Sequence, residues 1–129
     1  MKHKNNELVL GNHLILDLFE CNYAKINDIN VVMNILHRTI SQIGAQLISE
    51  GCKEFSPIGI SAFAIISESH ISVHTWPEYK FVAVDIFSCN KKLTEDVCTY
   101  IKKEFEAQFA NINMIDRGRI GTAHKLWIY

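Results

Sequence analysis

The chain has 129 residues, enough for one domain whose core hides about two-thirds of the unfolded surface. With 48% hydrophobic and 21% charged residues it is neither a disordered chain nor a low-complexity repeat. Thirteen basic against fourteen acidic residues leave a net charge of −1, without the basic excess that wraps nucleic acid or lies on an anionic membrane, so a small-molecule partner is expected.

The basic start is followed by an apolar stretch that Asn12, His13, Asp17 and Glu20 interrupt well short of a signal-peptide core or membrane span, which implies a cytoplasmic address. His13 to Phe19 (HLILDLF) alternates in part and predicts a strand, bounded by Gly11-Asn12 and Cys21-Asn22. From about Asp28 to Leu47, the residues Val32, Ile35, Leu36, Ile40, Ile43 and Leu47 recur at three- and four-residue steps and predict a helix, with Gly51 as its stop. Three short β-rich runs follow: Gly59 to Ile66, Ile71 to Trp76 and Phe81 to Phe87. Ser67-Glu68-Ser69-His70 and Pro77-Glu78-Tyr79-Lys80 read as the turns between them, the second because proline fixes its own φ and holds Trp76 extended. A second helix is predicted from about Thr94 to Phe109, with Val97, Tyr100, Ile101, Phe105 and Phe109 on one face, and Asn113 to Ile115 begins a last strand. This order predicts one α+β domain over residues 1–129, a two-layer sandwich with helices on one face of a largely antiparallel sheet. Cys21, Cys52, Cys89 and Cys98 show no CxxC spacing and read as free thiols in a reducing compartment.

Reactive side chains crowd the stretch from Ser61 to Cys89. Polar groups among strands must be hydrogen-bonded, exposed or functional, because burying them unpaired costs a few kcal/mol each. The two-residue period of a strand places Ser72, His74 and Trp76 on one face, joined by His70 if the strand extends that far, and Val73 and Thr75 on the other. Composition alone favours a solvent-facing polar strand side. A metal site of His70, His74 and Cys89 is a rival reading, although zinc motifs with that histidine spacing usually sit on helices.

The order of residues points elsewhere. ISESHISVHTWPEYKFVAVDIFSC, Ile66 to Cys89, resembles the processing and active-site segment of the prokaryotic S-adenosylmethionine decarboxylases, pyruvoyl-dependent proenzymes. LGNHLILDLFEC, Leu10 to Cys21, is similar to that family's opening strand, and FSPIGIS, Phe55 to Ser61, to the stretch before the cleavage site. DRGR, Asp116 to Arg119, also resembles the family, whereas Ile120 to Tyr129 matches nothing in it. The resemblance implies self-cleavage at Glu68-Ser69 into a β chain of residues 1–68 and an α chain of residues 69–129, with Ser69 becoming a pyruvoyl group. It implies that Ser61 and His74 assist processing and that Cys89 donates a proton in decarboxylation. Phe55 and Trp76 match aromatic positions at the substrate site, Phe55 being the expected stacking surface for adenine, and Glu78 matches a carboxylate that accepts from ribose hydroxyls. No metal is expected, and the cleaved chains are expected to associate as a dimer of αβ units.

The chemistry explains the residue types. Loss of carbon dioxide from an α-amino acid leaves an electron pair that no protein side chain can accept, so a carbonyl cofactor is needed, and the pyruvoyl ketone supplies it through a Schiff base. A thiol with an ordinary pKa of about 8.5 is protonated at neutral pH and suits the general acid. Ser69, His74 and Cys89 also have bland readings as a turn serine, a structural histidine and a small core residue, and Phe55 and Trp76 could fill core. Three further readings stand beside the main one: the same chemistry on arginine or ornithine, a catalytically inactive regulatory homologue, and the metal site. The unmatched tail bears on the first of these, as an edge strand, a dimer contact or part of the substrate pocket.

Overall fold

The computed structural model describes residues 8–67, 69–89 and 93–121. Glu68 and residues 122–129, which include most of the unmatched tail, lie outside the described residues. In chain order the elements are β1 (Leu8–Phe19), α1 (Tyr23–Ile26), α2 (Ile29–Gln42), β2 (Leu47–Glu54), β3 (Ile60–Ile66), β4 (Ser69–Trp76), a 3-10 turn (Pro77–Tyr79), β5 (Phe81–Ser88), α3 (Glu95–Glu104) and β6 (Phe109–Ile120). The six strands form one antiparallel sheet in the order β2-β3-β4-β5-β1-β6.

Alternation along the strands decides which face is covered. Leu14, Leu16 and Leu18 of β1, Ala62 and Ala64 of β3, Ile71 and Val73 of β4, and Val82, Val84 and Ile86 of β5 are buried. They pack with Val32, Ile35, Leu36 and Ile40 of α2 and with Val97, Cys98 and Ile101 of α3 in one apolar cluster. The result is the expected two-layer α+β sandwich, with the opposite sheet face left open. Helix α2 starts where Asp28 accepts hydrogen bonds from the backbone N–H groups of Asn30 and Val31, at 2.9 and 3.3 Å.

Several expected boundaries move. Helix α2 stops at Gln42, with Gly44 at φ +74°, rather than running to Leu47, and Gly51 is a strand residue in β2. Strand β2 itself was not expected: exposed along nearly all its length, it has no alternation to read. Strand β1 begins at Leu8, so Gly11 and Asn12 lie inside it rather than bounding it. The second helix ends at Glu104, and Phe109, expected on its buried face, instead opens β6 with 60% exposure. Ser69 and His70 belong to β4 rather than to the preceding turn.

Core and cap should separate in magnitude. Leu16, fully buried beneath the helices, should cost about 2–5 kcal/mol as Leu16→Ala. Asp28→Ala, which removes only a helix cap, should cost about 1 kcal/mol. Urea denaturation midpoints at constant slope measure both.

Candidate active site

Strand β4 carries most of the side chains the sequence singles out. Its buried residues are Ile71, Val73 and Thr75, so His70, Ser72, His74 and Trp76 share the open face, and β4 does extend far enough to include His70. Ser61 faces His74 in the β3–β4 register, and Ser61 Oγ and His74 Nδ1 share a hydrogen bond at 2.8 Å. Beside them a cavity of about 350 Å³ is lined by Phe55, Ile58, Gly59, Ser61, His74, Thr75, Trp76 and Glu78. Phe55 reaches it from a loop closed by a 2.8 Å bond from its own N–H to the Gly59 carbonyl, Gly59 taking φ +108°, where only glycine sits without strain. Phe55 and Trp76 are 50% and 41% exposed, so neither fills the core.

A second pair occupies the other end of β4. Ser69, its first residue, is partly buried, and Ser69 Oγ lies 3.2 Å from Cys89 Sγ just past the end of β5. Cys89 is exposed and so is no core cysteine. Five residues separate Ser69 from His74, roughly 16 Å along a strand. The structure therefore gathers Ser61, His74, Phe55, Trp76 and Glu78 at one end, and Ser69 and Cys89 at the other. The Ser69 and His74 side chains are too short to meet across that distance. His70 and His74 stand about 13 Å apart by the same rise, too far to share an ion. Among the described residues, no three His, Cys, Asp or Glu side chains cluster for one.

The sequence reading did not find the aromatic cleft behind Trp76, about 380 Å³ and lined by Phe19, Trp76, Tyr79 and Phe81. The signal was the pairing of Trp76 with Phe81 across the tight Pro77–Tyr79 turn, which brings their rings together at a tilt with centroids 5.4 Å apart. It also missed Gly11, whose place inside a strand marks a close approach by another group.

Residues 12–118 match the family described as S-adenosylmethionine decarboxylase. The chain is similar to the S-adenosylmethionine decarboxylase proenzymes of Thermodesulfovibrio yellowstonii, 40% identical over 86% of this chain and 83% of the relative. It is likewise similar to those of Moorella thermoacetica, 36% identical over 86% and 90%, and Pelotomaculum thermopropionicum, 36% identical over 93% and 91%. The crystal structure of the adenosylmethionine decarboxylase from Aquifex aeolicus has the same fold, with a TM-score of 0.79 at 24% identity, covering 92% of this chain and 98% of that one. The chain thus belongs to the S-adenosylmethionine decarboxylase family.

The cysteines divide by environment. Burial, with help from the Glu20 charge, pushes the Cys21 thiol up to about 12, and burial followed by the Glu95 charge raises that of Cys98. The folded chain holds the Cys21 proton up to about pH 12, whereas the unfolded chain releases it above about pH 9. Stability should therefore fall as pH rises from 9 to 12, and Cys21→Ala should flatten that fall in denaturant titrations. At neutral pH, iodoacetamide should label Cys52 and Cys89 in the folded protein, and Cys21 and Cys98 only after unfolding, as read by peptide mass.

Proposed function

We propose that this chain is a proenzyme that cleaves itself between Glu68 and Ser69 and, once processed, decarboxylates S-adenosylmethionine to supply the aminopropyl donor for spermidine. The observation that carries the reading is the Ser69 hydroxyl held 3.2 Å from the Cys89 thiol at the head of β4, in a chain of this family. Ser69 Oγ attacks the Glu68 carbonyl and turns the amide into an ester. Removal of the Cα proton of residue 69 then expels the Glu68 carboxylate, and hydrolysis of the remaining enamine releases ammonia and leaves a ketone. A small keto group at a partly buried strand start, with a thiol in contact range, fits the residues present. That pyruvoyl group supplies the carbonyl that accepts the electron pair as carbon dioxide leaves. Cys89 delivers the proton that replaces the carboxyl group. Phe55 stacks on adenine, Trp76 walls the same cavity, and Glu78 accepts from the ribose hydroxyls. A ring stack of this kind contributes on the order of 1 kcal/mol.

Processing also needs a base for the Cα proton and a donor for the oxyanion, and the resemblance assigns these to His74 and Ser61. The roughly 16 Å along β4 bars them from acting within their own copy. A two-fold axis between two facing sheets, running across the strands at the level of Ser72, reverses the strands of the second copy. It lays each Ser69–Cys89 end over the Ser61–His74 end of the other, twice per dimer. Phe63 and Ile65, 48% and 47% exposed on the open face, suit such a cover. Each active site is then built from two copies.

Intact-mass analysis should find chains of 68 and 61 residues, the shorter without a free N-terminal amine, and Ser69→Ala should stay whole. Carboxyl-labelled S-adenosylmethionine should release carbon dioxide faster than labelled arginine or ornithine at equal concentration. A folded wild-type protein that never cleaves, or one that prefers an amino acid without adenosine, contradicts the proposal. His74→Ala should stall cleavage, whereas Cys89→Ala should cleave and lose turnover by on the order of 10²–10⁴-fold. Phe55→Ala should raise KM and leave cleavage intact.

A further inference from the structure

Ser69 and Cys89 both lie where the backbone ladder ends. Ser69 is the first residue of β4 and Cys89 follows the last residue of β5, so the register pair Ser69 with Ser88 is the last rung between these two strands, and Cys89 lies beyond it. One step further in, His70 pairs with Phe87, and the Phe87 ring is held from four sides. The rings of His70 and His13 stand 5.8 Å from it, centroid to centroid. The Arg117 guanidinium lies over it at 5.5 Å. Beneath it is Gly11, where an added Cβ would come within 2.7 Å of the ring.

These neighbours are themselves fixed. Arg117 Nη1 donates to His13 Nδ1 at 3.1 Å, which leaves Nε2–H of His13 to donate to Asp85 Oδ1, also at 3.1 Å. Arg117 is on β6, His13 and Gly11 are on β1, Asp85 and Phe87 on β5, and His70 on β4. The assembly thus adds side-chain packing across β4, β5, β1 and β6 at the end of the sheet where Ser69 and Cys89 stand. Proton transfer tolerates little error in distance, and a group acting at a strand end needs side-chain packing where ladder hydrogen bonds stop.

We infer that Phe87, seated on Gly11 and clamped by His13, His70 and Arg117, is a positioning residue that holds the Cys89 thiol against residue 69. The inference rests on the proton-donor role proposed for Cys89. Phe87 carries no acid, base or hydrogen-bonding group and acts through Cys89.

A double-mutant cycle on the full chain tests this. Phe87→Leu should self-cleave within about threefold of the wild-type rate, because the attack of Ser69 on Glu68 is local. It should lower kcat by about tenfold or more with KM little changed, and add nothing to the loss caused by Cys89→Ala. Gly11→Ala, whose added Cβ would come within 2.7 Å of the ring and 3.0 Å of the Ser88 carbonyl oxygen, should do the same. In the uncleaved Ser69→Ala precursor, either change should alter the alkylation rate of Cys89 by severalfold and leave that of Cys52 unchanged, a readout that needs no turnover. If the losses from Phe87→Leu and Cys89→Ala multiply, or Cys89 alkylation is unmoved in both variants, Phe87 does not position the thiol. If Cys89→Ala by itself keeps full turnover, the proton-donor role fails first and this inference with it.

Discussion

Strand β4 is paired to β5 along its whole length and to β3 from Ser69 to Thr75. The pleat turns Ile71, Val73 and Thr75 into the core and His70, Ser72, His74 and Trp76 onto the open face. The rise, about 3.3 Å per residue, sets Ser69 and His74 at opposite ends. Neither effect can be relaxed locally, since slipping the strand by one residue would exchange its core and open faces. The separation of Ser69 and Cys89 from Ser61 and His74 follows from this pairing, and the proposed second copy is what would reunite them.

The open face is suited to that task. Phe63 and Ile65 leave apolar surface to cover, while Asp85, His13 and Arg117 satisfy one another within a single copy. A charged group that already has its partners costs less to cover than one that does not. The Ser61–His74 bond works in the same way: the histidine is oriented before anything docks over it. Preorganised groups lower the cost of assembling a site at an interface.

Strands β3, β4 and β5 were legible because their β-branched and apolar residues alternate over a half-covered sheet. Strand β2 was not, because an edge strand exposed on both faces carries no such pattern. Ile43 caps α2 and packs on the core as its spacing predicts, whereas Leu47 falls at helical spacing by coincidence, since the chain turns at Gly44 before Leu47 enters β2. The site residues came from a resemblance that recognises identities and spacing, which carries no information on the distance that five extended residues impose. The Phe87 clamp was invisible for another reason, since it is assembled from four strands and its one sequence mark was a glycine inside a strand.

The most direct test of a site shared between copies is co-expression of Ser69→Ala, tagged, with His74→Ala, neither of which should cleave alone. In a mixed dimer, one site pairs the intact Ser69 of the His74→Ala chain with the intact His74 of the Ser69→Ala chain. The His74→Ala chain, and only that chain, should be cut when the two are expressed together, as read by intact mass. If neither chain is cut although mixed dimers form, Ser69 and His74 do not meet across copies and the site is not shared.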